Sequence, residues 1–186
     1  MSLSKLCDNS NGIVYKKDGT FDIMNEDLYN GKDYFRKMVI SKNELMIAKI
    51  LMKYPHPNIV EIYHVNDNYI DMEIIDNTLY EHLDITTLIK LKKDMEKVKD
   101  YLQSFGIIYI DWKIDNMGKS KVDGSFKLFD FDASGIITTH TGEWKELPPE
   151  MNSYRIATIE NGMKKPIQID NFSFVKGFLD AVEDFA

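Results

Sequence analysis

Residues 109–118, YIDWKIDNMG, set Asp111, Lys113, Asp115 and Asn116 within six positions, directly after the apolar run 105–110. Taken alone, such a cluster makes a solvated turn or a cap, because Asp and Asn side chains bond nearby backbone amides. Its neighbours decide whether it does more. Upstream, Leu88, Leu91, Met95, Val98, Leu102 and Phe105 recur at steps of three and four, which predicts a helix over 86–105 with one buried face. Thr86 or Thr87 is placed to cap its start, and Gly106 suits its end. Downstream, KSKVDGSFKLFDFD reads as two short strands around Asp123-Gly124 and closes on Asp130 and Asp132. The cluster therefore leaves a helix end, enters a loop, and is followed fourteen residues after Asn116 by a second acidic group.

Working outward, residues 12–40 alternate short apolar runs with the turn pairs Asp18-Gly19 and Asn30-Gly31, the pattern of a small antiparallel sheet. SKNELMIAKILMKY then places Leu45, Ala48, Leu51 and Met52 at helical spacing, and Pro55 and Pro57 end that helix. IVEIYHV and YIDMEII are rich in β-formers and joined by Asn66-Asp67-Asn68, which predicts a hairpin. A final amphipathic helix is expected over 170–185, with Phe172, Val175, Phe178, Leu179 and Val182 on one side. The pattern as a whole is α+β.

Composition narrows the classes. The 186 residues are 44% hydrophobic, 28% charged and 12% aromatic, which suits an ordinary globular core. A net charge of −7 disfavours nonspecific nucleic-acid binding, since phosphates repel an acidic surface that has no segregated basic patch. Lys90, Lys92, Lys93, Lys97 and Lys99 are read as the wet side of the 86–105 helix. One cysteine, Cys7, forms no intramolecular disulfide, and neither a signal-peptide core nor a membrane-length apolar run is present. The expectation is an intracellular, cytoplasmic protein with no membrane partner.

Taken together, these stretches resemble the eukaryotic-type protein kinase family over almost the whole chain. YIDWKIDNMG is similar to the catalytic loop, and FDFD, through Asp130 and Phe131, to the metal-binding DFG motif. PHPNIV at 55–60 resembles the connection after the αC helix, with Glu44 where the αC glutamate falls. YIDMEII resembles the fifth strand and hinge, LPPE ending at Glu150 the APE motif, and DNFSF from Asp170 the αF signature. The resemblance implies a bilobal fold, with an N-lobe over 1–76 ending in the hinge and a shortened, mainly helical C-lobe over 77–186.

By that resemblance, Asp111 accepts the proton of an acceptor hydroxyl and Lys113 faces the transferred phosphate. Asn116 and Asp130 would hold Mg²⁺, for which hard oxygen ligands are suited. Gly12 and Val14 would cover ATP, Lys37 and Glu44 would orient its phosphates, and Met72, Glu73 and Ile75 would meet the adenine. Such an arrangement suits phosphoryl transfer, which needs positioning and charge neutralisation more than covalent help.

Several positions depart from the family pattern. Only Gly12 of three glycines stands in CDNSNGIVY, where Asn9 tolerates positive φ. The strand lysine has two registers open, Lys37 in YFRKMVI or Met24 in FDIM, and Phe35 takes the place of a small residue above adenine. Tyr109 and Ile110 stand for His-Arg, which implies that Thr138, Thr139 and Thr141 need no phosphorylation. Asp132 stands for the glycine of DFG.

The family's later helices do not follow the αF-like segment, so an apolar face carrying Phe174, Phe178 and Phe185 is expected to seek a homodimer or hetero-complex partner. The expected function is ATP- and Mg²⁺-dependent phosphorylation of Ser/Thr hydroxyls in protein substrates. The alternatives are a pseudokinase regulating a partner protein such as a host kinase, and a small-molecule kinase. Compact kinases of this kind are also reminiscent of those of large DNA viruses.

Overall fold

A computed structural model describes residues 12–15, 29, 32–39, 41–76 and 84–184. Asn9, Met24, Phe185 and the two early turn pairs lie outside them. Among the described residues, β1 (Gly12–Tyr15), β2 (Tyr34–Met38), β3 (Ile62–Val65) and β4 (Tyr69–Met72) form an antiparallel sheet in the order β1-β2-β4-β3. Its register sets Gly12 opposite Lys37, Val14 opposite Phe35, and Phe35 opposite Met72. The β3–β4 hairpin forms at the expected place, where Asn66 Oδ1 accepts the amides of Asn68 at 2.8 Å and Tyr69 at 2.9 Å. Asp71, fully buried in β4, is neutralised by a two-pronged Arg36 contact at 2.7 and 2.8 Å and also accepts the Tyr29 hydroxyl at 2.6 Å. This geometry makes a buried carboxylate tolerable.

Helix α1 (Lys42–Lys53) starts at Ser41, whose Oγ accepts the amides of Asn43 and Glu44. It buries Asn43, Glu44, Ile47, Ala48 and Leu51. The expected stripe is thus rotated: Met52 is 42% exposed, and the helix instead turns its acid Glu44 inward.

After β5 (Ile75–Asp76), helix α2 (Ile85–Ser104) buries Leu88, Leu91, Met95, Val98 and Leu102 as the spacing predicts, with Lys90, Lys93 and Lys97 on its wet side. Its cap is Asp84, not Thr86 or Thr87, because Asp84 Oδ1 takes the Thr87 amide at 2.6 Å. Gly106 ends the turn at φ +72, and a Cβ there would meet the Ile137 carbonyl at 2.6 Å.

Two further antiparallel sheets follow. β6 (Ile107–Ile108), β9 (Gly135–Ile137) and β10 (Trp144–Glu146) form one, and β5 joins the hairpin of β7 (Met117–Ser120) and β8 (Phe126–Leu128) in the other. Short α3 (Asn152–Arg155) leads to α4 (Pro166–Ser173), which continues through a π-helical stretch, Phe174–Leu179, into α5 (Asp180–Asp184).

That last helical run corrects the expected partner face. Phe174, Phe178 and Val182 are buried, with Phe174 edge-on to Trp112 at 4.8 Å, and Val175 is the exposed residue. The wider π turn rotates the apolar stripe away from a 3.6-residue count. Gly177 permits the contact: a Cβ there would lie 2.0 Å from the Trp112 carbonyl oxygen. Phe174 and Phe178 therefore give no reason for a partner.

The protein is a mixed α+β structure of small antiparallel sheets and several helices. No helix among the described residues is long and apolar enough to cross a membrane.

Candidate active site

The opening stretch folds as a tight, strained loop. Ile110 adopts φ 70, a left-handed conformation that costs a β-branched residue about 1–3 kcal/mol. It is held there because its amide donates to Asp170 Oδ1 at 3.2 Å, and the same oxygen accepts Trp112 Nε1 at 2.7 Å. Gln103 Nε2 donates to the other oxygen at 2.8 Å. Burial raises the Asp170 carboxyl above its ordinary range, against the lowering effect of those three donors. Asp170 is fully buried and joins α2, the loop and α4 at one point.

With Ile110 fixed, Asp111 projects from the loop and gathers the other polar residues. Asn116 Nδ2 donates to the Asp111 carbonyl at 3.0 Å and to Asp111 Oδ2 at 2.9 Å. Lys113 Nζ lies 2.7 Å from that same Oδ2. Burial opposes the lysine's charge, but Asp111 outweighs it and carries the Lys113 pKa above the usual lysine range. Asp115, by contrast, points to solvent.

A second group comes from distant parts of the chain. Lys37 Nζ, on β2, contacts Glu44 Oε1 on α1 and lies 2.6 Å from Asp130 Oδ1. Burial acts to strip the Lys37 proton, yet the two carboxylates hold its pKa above the ordinary value. Glu44 is 3% exposed, and its Oε2 is buried without a hydrogen-bond partner among the described residues. Burial raises its pKa, with Lys37 opposing. Between the two registers left open by the sequence, Lys37 is the lysine that meets Glu44.

Backbone joins the two groups. In the β7–β8 hairpin Met117 pairs with Leu128, so the next residues out are Asn116 and Phe129, and the Phe129 amide donates to the Asn116 carbonyl at 3.1 Å. Asp130 follows immediately, at φ 62. Tyr109 tightens the junction: its hydroxyl donates to the Phe129 carbonyl at 2.6 Å, and its ring stands edge-on to Phe131 at 5.2 Å. Burial, then Asp130 and Asp111, raise the Tyr109 pKa well above the ordinary value, so the phenol stays protonated as a donor. Asp132 is raised by burial and then by Asp130, which places a third carboxylate in the same field.

Asn116 and Asp130 thus sit at the same open end of one hairpin, offering an amide and a carboxylate oxygen. No group of three or more His, Cys, Asp or Glu among the described residues is arranged to hold a metal. An amide and a carboxylate oxygen are hard donors of the kind that Mg²⁺ takes from a protein alongside phosphate and water.

The expected adenine-side residues divide. Met72 is buried opposite Phe35, and Ile75 pairs with Ser120 on β7. The Glu73 amide is committed to the Glu61 carbonyl at 2.9 Å. Its carboxylate is buried against Lys127 at 3.0 Å, Ser120 Oγ at 2.8 Å and the Glu61 amide at 2.8 Å. The side chain is thereby a structural tie between β4 and the β7–β8 hairpin, a role its sequence position does not reveal. Gly12 and Val14 lie on β1 beside Lys37 and Phe35. The tie through Lys127 was also not evident from the sequence, because a lone Lys on a strand carries no periodic signal.

The chain matches no known protein-family model, and no curated protein matches it.

Proposed function

We propose that this chain is an ATP- and Mg²⁺-dependent phosphotransferase of the protein-kinase type, with a cleft between lobes at 1–76 and 77–186, acting on Ser/Thr hydroxyls of protein substrates. The observation that carries the reading is Lys37, bridged between Glu44 on a helix and Asp130 beside Asn116. Lys37 with Glu44 and Asp130 is net negative, so a phosphate would meet the ammonium together with a divalent cation that draws Asp130 away from it. Asn116 and Asp130 would hold the cation, which neutralises phosphate charge when bound. Lys37 would orient the inner phosphates, Lys113 would face the one transferred, and Asp111 would accept the acceptor's proton. With the Glu73 amide occupied, its carbonyl is the group a purine amine would meet.

A second reading, a pseudokinase that binds and regulates a partner protein, is favoured by Phe35, a bulky residue on β2 between β1 and β4 at the position where the resemblance implies a small residue above the adenine. One experiment separates them: labelled ATP and Mg²⁺ with general protein substrates, beside an Asp111→Asn control. Incorporation that the variant loses supports transfer. Absence of incorporation together with weak or absent ATP binding overturns the first reading and favours the second.

A further inference from the structure

Asn43 is the residue before Glu44 in α1, yet it faces a different part of the chain. Its Nδ2 donates to the carbonyl of Ser134 at 3.0 Å and to that of Leu147 at 2.6 Å. Those carbonyls lie at the two ends of the segment that holds β9, the exposed Thr138, Thr139 and Thr141, and β10. Asn43 is buried, and its bond to Ser134 forms away from competing water, while the bond to Leu147 is only partly shielded. A primary amide is one of few side-chain groups with two hydrogens on one atom, so a single Asn can close both contacts. Lys42 adds an exposed contact from the same helix turn to Glu146 at 3.1 Å.

The segment is also tied at its start and within itself. Ser134 Oγ donates to the Tyr109 carbonyl at 3.2 Å, and the Ile137 amide to Gly106 at 2.7 Å. Across the turn, the Thr138 amide donates to the Glu143 carbonyl at 2.9 Å. What Asn43 adds is a link to the helix that carries Glu44. Loss of both bonds would free α1 to move relative to Asp130, and with it the Lys37–Glu44 contact.

We infer that Asn43 is a positioning residue that pins both ends of the 134–147 segment to α1, keeping Lys37, Glu44 and Asp130 assembled. The inference rests on the phosphotransfer reading for its kinetic consequence, not for the clamp itself.

The test compares the full chain with Asn43→Leu, which keeps the bulk but has no donors, and Asn43→Gln, which keeps the amide. Amide hydrogen exchange and phosphate transfer at saturating ATP are measured well below the melting temperature of each. The expected result for Asn43→Leu is exchange at least tenfold faster within 135–146 and α1, a far-UV spectrum like wild type, and a turnover rate at least tenfold lower. Asn43→Gln recovers part of both. A purely structural residue would lower the melting temperature while leaving turnover unchanged below it. Wild-type exchange in the segment, or unchanged turnover in an active Asn43→Leu protein, overturns the inference. If wild type transfers no phosphate, the functional reading falls, and the exchange data alone decide the clamp.

Discussion

Replacing Asp170 with alanine removes one carboxylate on which three elements meet. The Ile110 amide and the Trp112 indole N–H would be left buried without acceptors, while Gln103 can turn toward water. Each buried orphan costs about 1–3 kcal/mol. Removing a buried carboxylate whose pKa is raised by desolvation offsets part of this, giving a net loss of about 3 kcal/mol. For a chain of this length that corresponds to a melting point lower by roughly 6–12 °C. Asp170→Asn keeps the oxygen that serves Ile110 and Trp112, and Gln103 can reverse its amide to meet the new N–H. It should fall within about 1 kcal/mol of wild type. Calorimetry and urea unfolding of the three proteins test the pair of expectations. If Asp170→Ala unfolds within about 0.5 kcal/mol of wild type, Asp170 does not hold the strained loop, and the account of how Asp111 is positioned fails with it.

Three further outcomes follow from the same contacts. Gly177→Ala places a methyl 2.0 Å from the Trp112 carbonyl, so it should destabilise by about 1–3 kcal/mol despite alanine's better helix propensity, as read by urea midpoint. Lys37→Met leaves Glu44 buried with neither oxygen paired to a cation, and breaking such a pair costs about 3 kcal/mol; ATP affinity should fall at least tenfold by calorimetric titration. His56 accepts the Asn58 amide on Nδ1, and burial, then Lys127 and Lys97, lower its pKa from 6.5. The unfolded chain therefore binds its proton first, so His56 contributes stability above about pH 6.5 that is lost as pH falls toward the folded value. The stability difference between wild type and His56→Gln should shrink between pH 7 and pH 5, and a constant difference would contradict the assignment.

Much of the fold was legible where one physical signal dominated. The three-and-four spacing in α2, the Asn66-Asp67-Asn68 turn and the β7–β8 hairpin each follow from local chemistry, and the α+β class follows from them. The loop cluster of Asp111, Lys113 and Asn116 forms as its spacing suggested, because six residues are too few to separate. The misplacements share a cause. Met52 and Val175 fit an apolar stripe but are exposed, since the burial of Glu44 in α1 and the π turn at Phe174–Leu179 rotate those helices toward tertiary partners. Asp84 outcompetes Thr86 and Thr87 as a cap through one carboxylate bond that local pattern does not rank. The Lys37–Asp130 contact spans 93 positions, and two registers remained open because nothing local sets such a pairing.

On the proposed reading, Asn116 and Asp130 meet a divalent cation beside the ammonium of Lys37. Calorimetric titration of ATP into wild type and Asp130→Asn, each with Mg²⁺ and with chelator, tests it most directly. Wild type should bind ATP at least tenfold more tightly with Mg²⁺ than without, and Asp130→Asn should lose most of that difference while remaining folded. ATP binding that is equal with and without Mg²⁺, or unaltered by the substitution, would contradict the account.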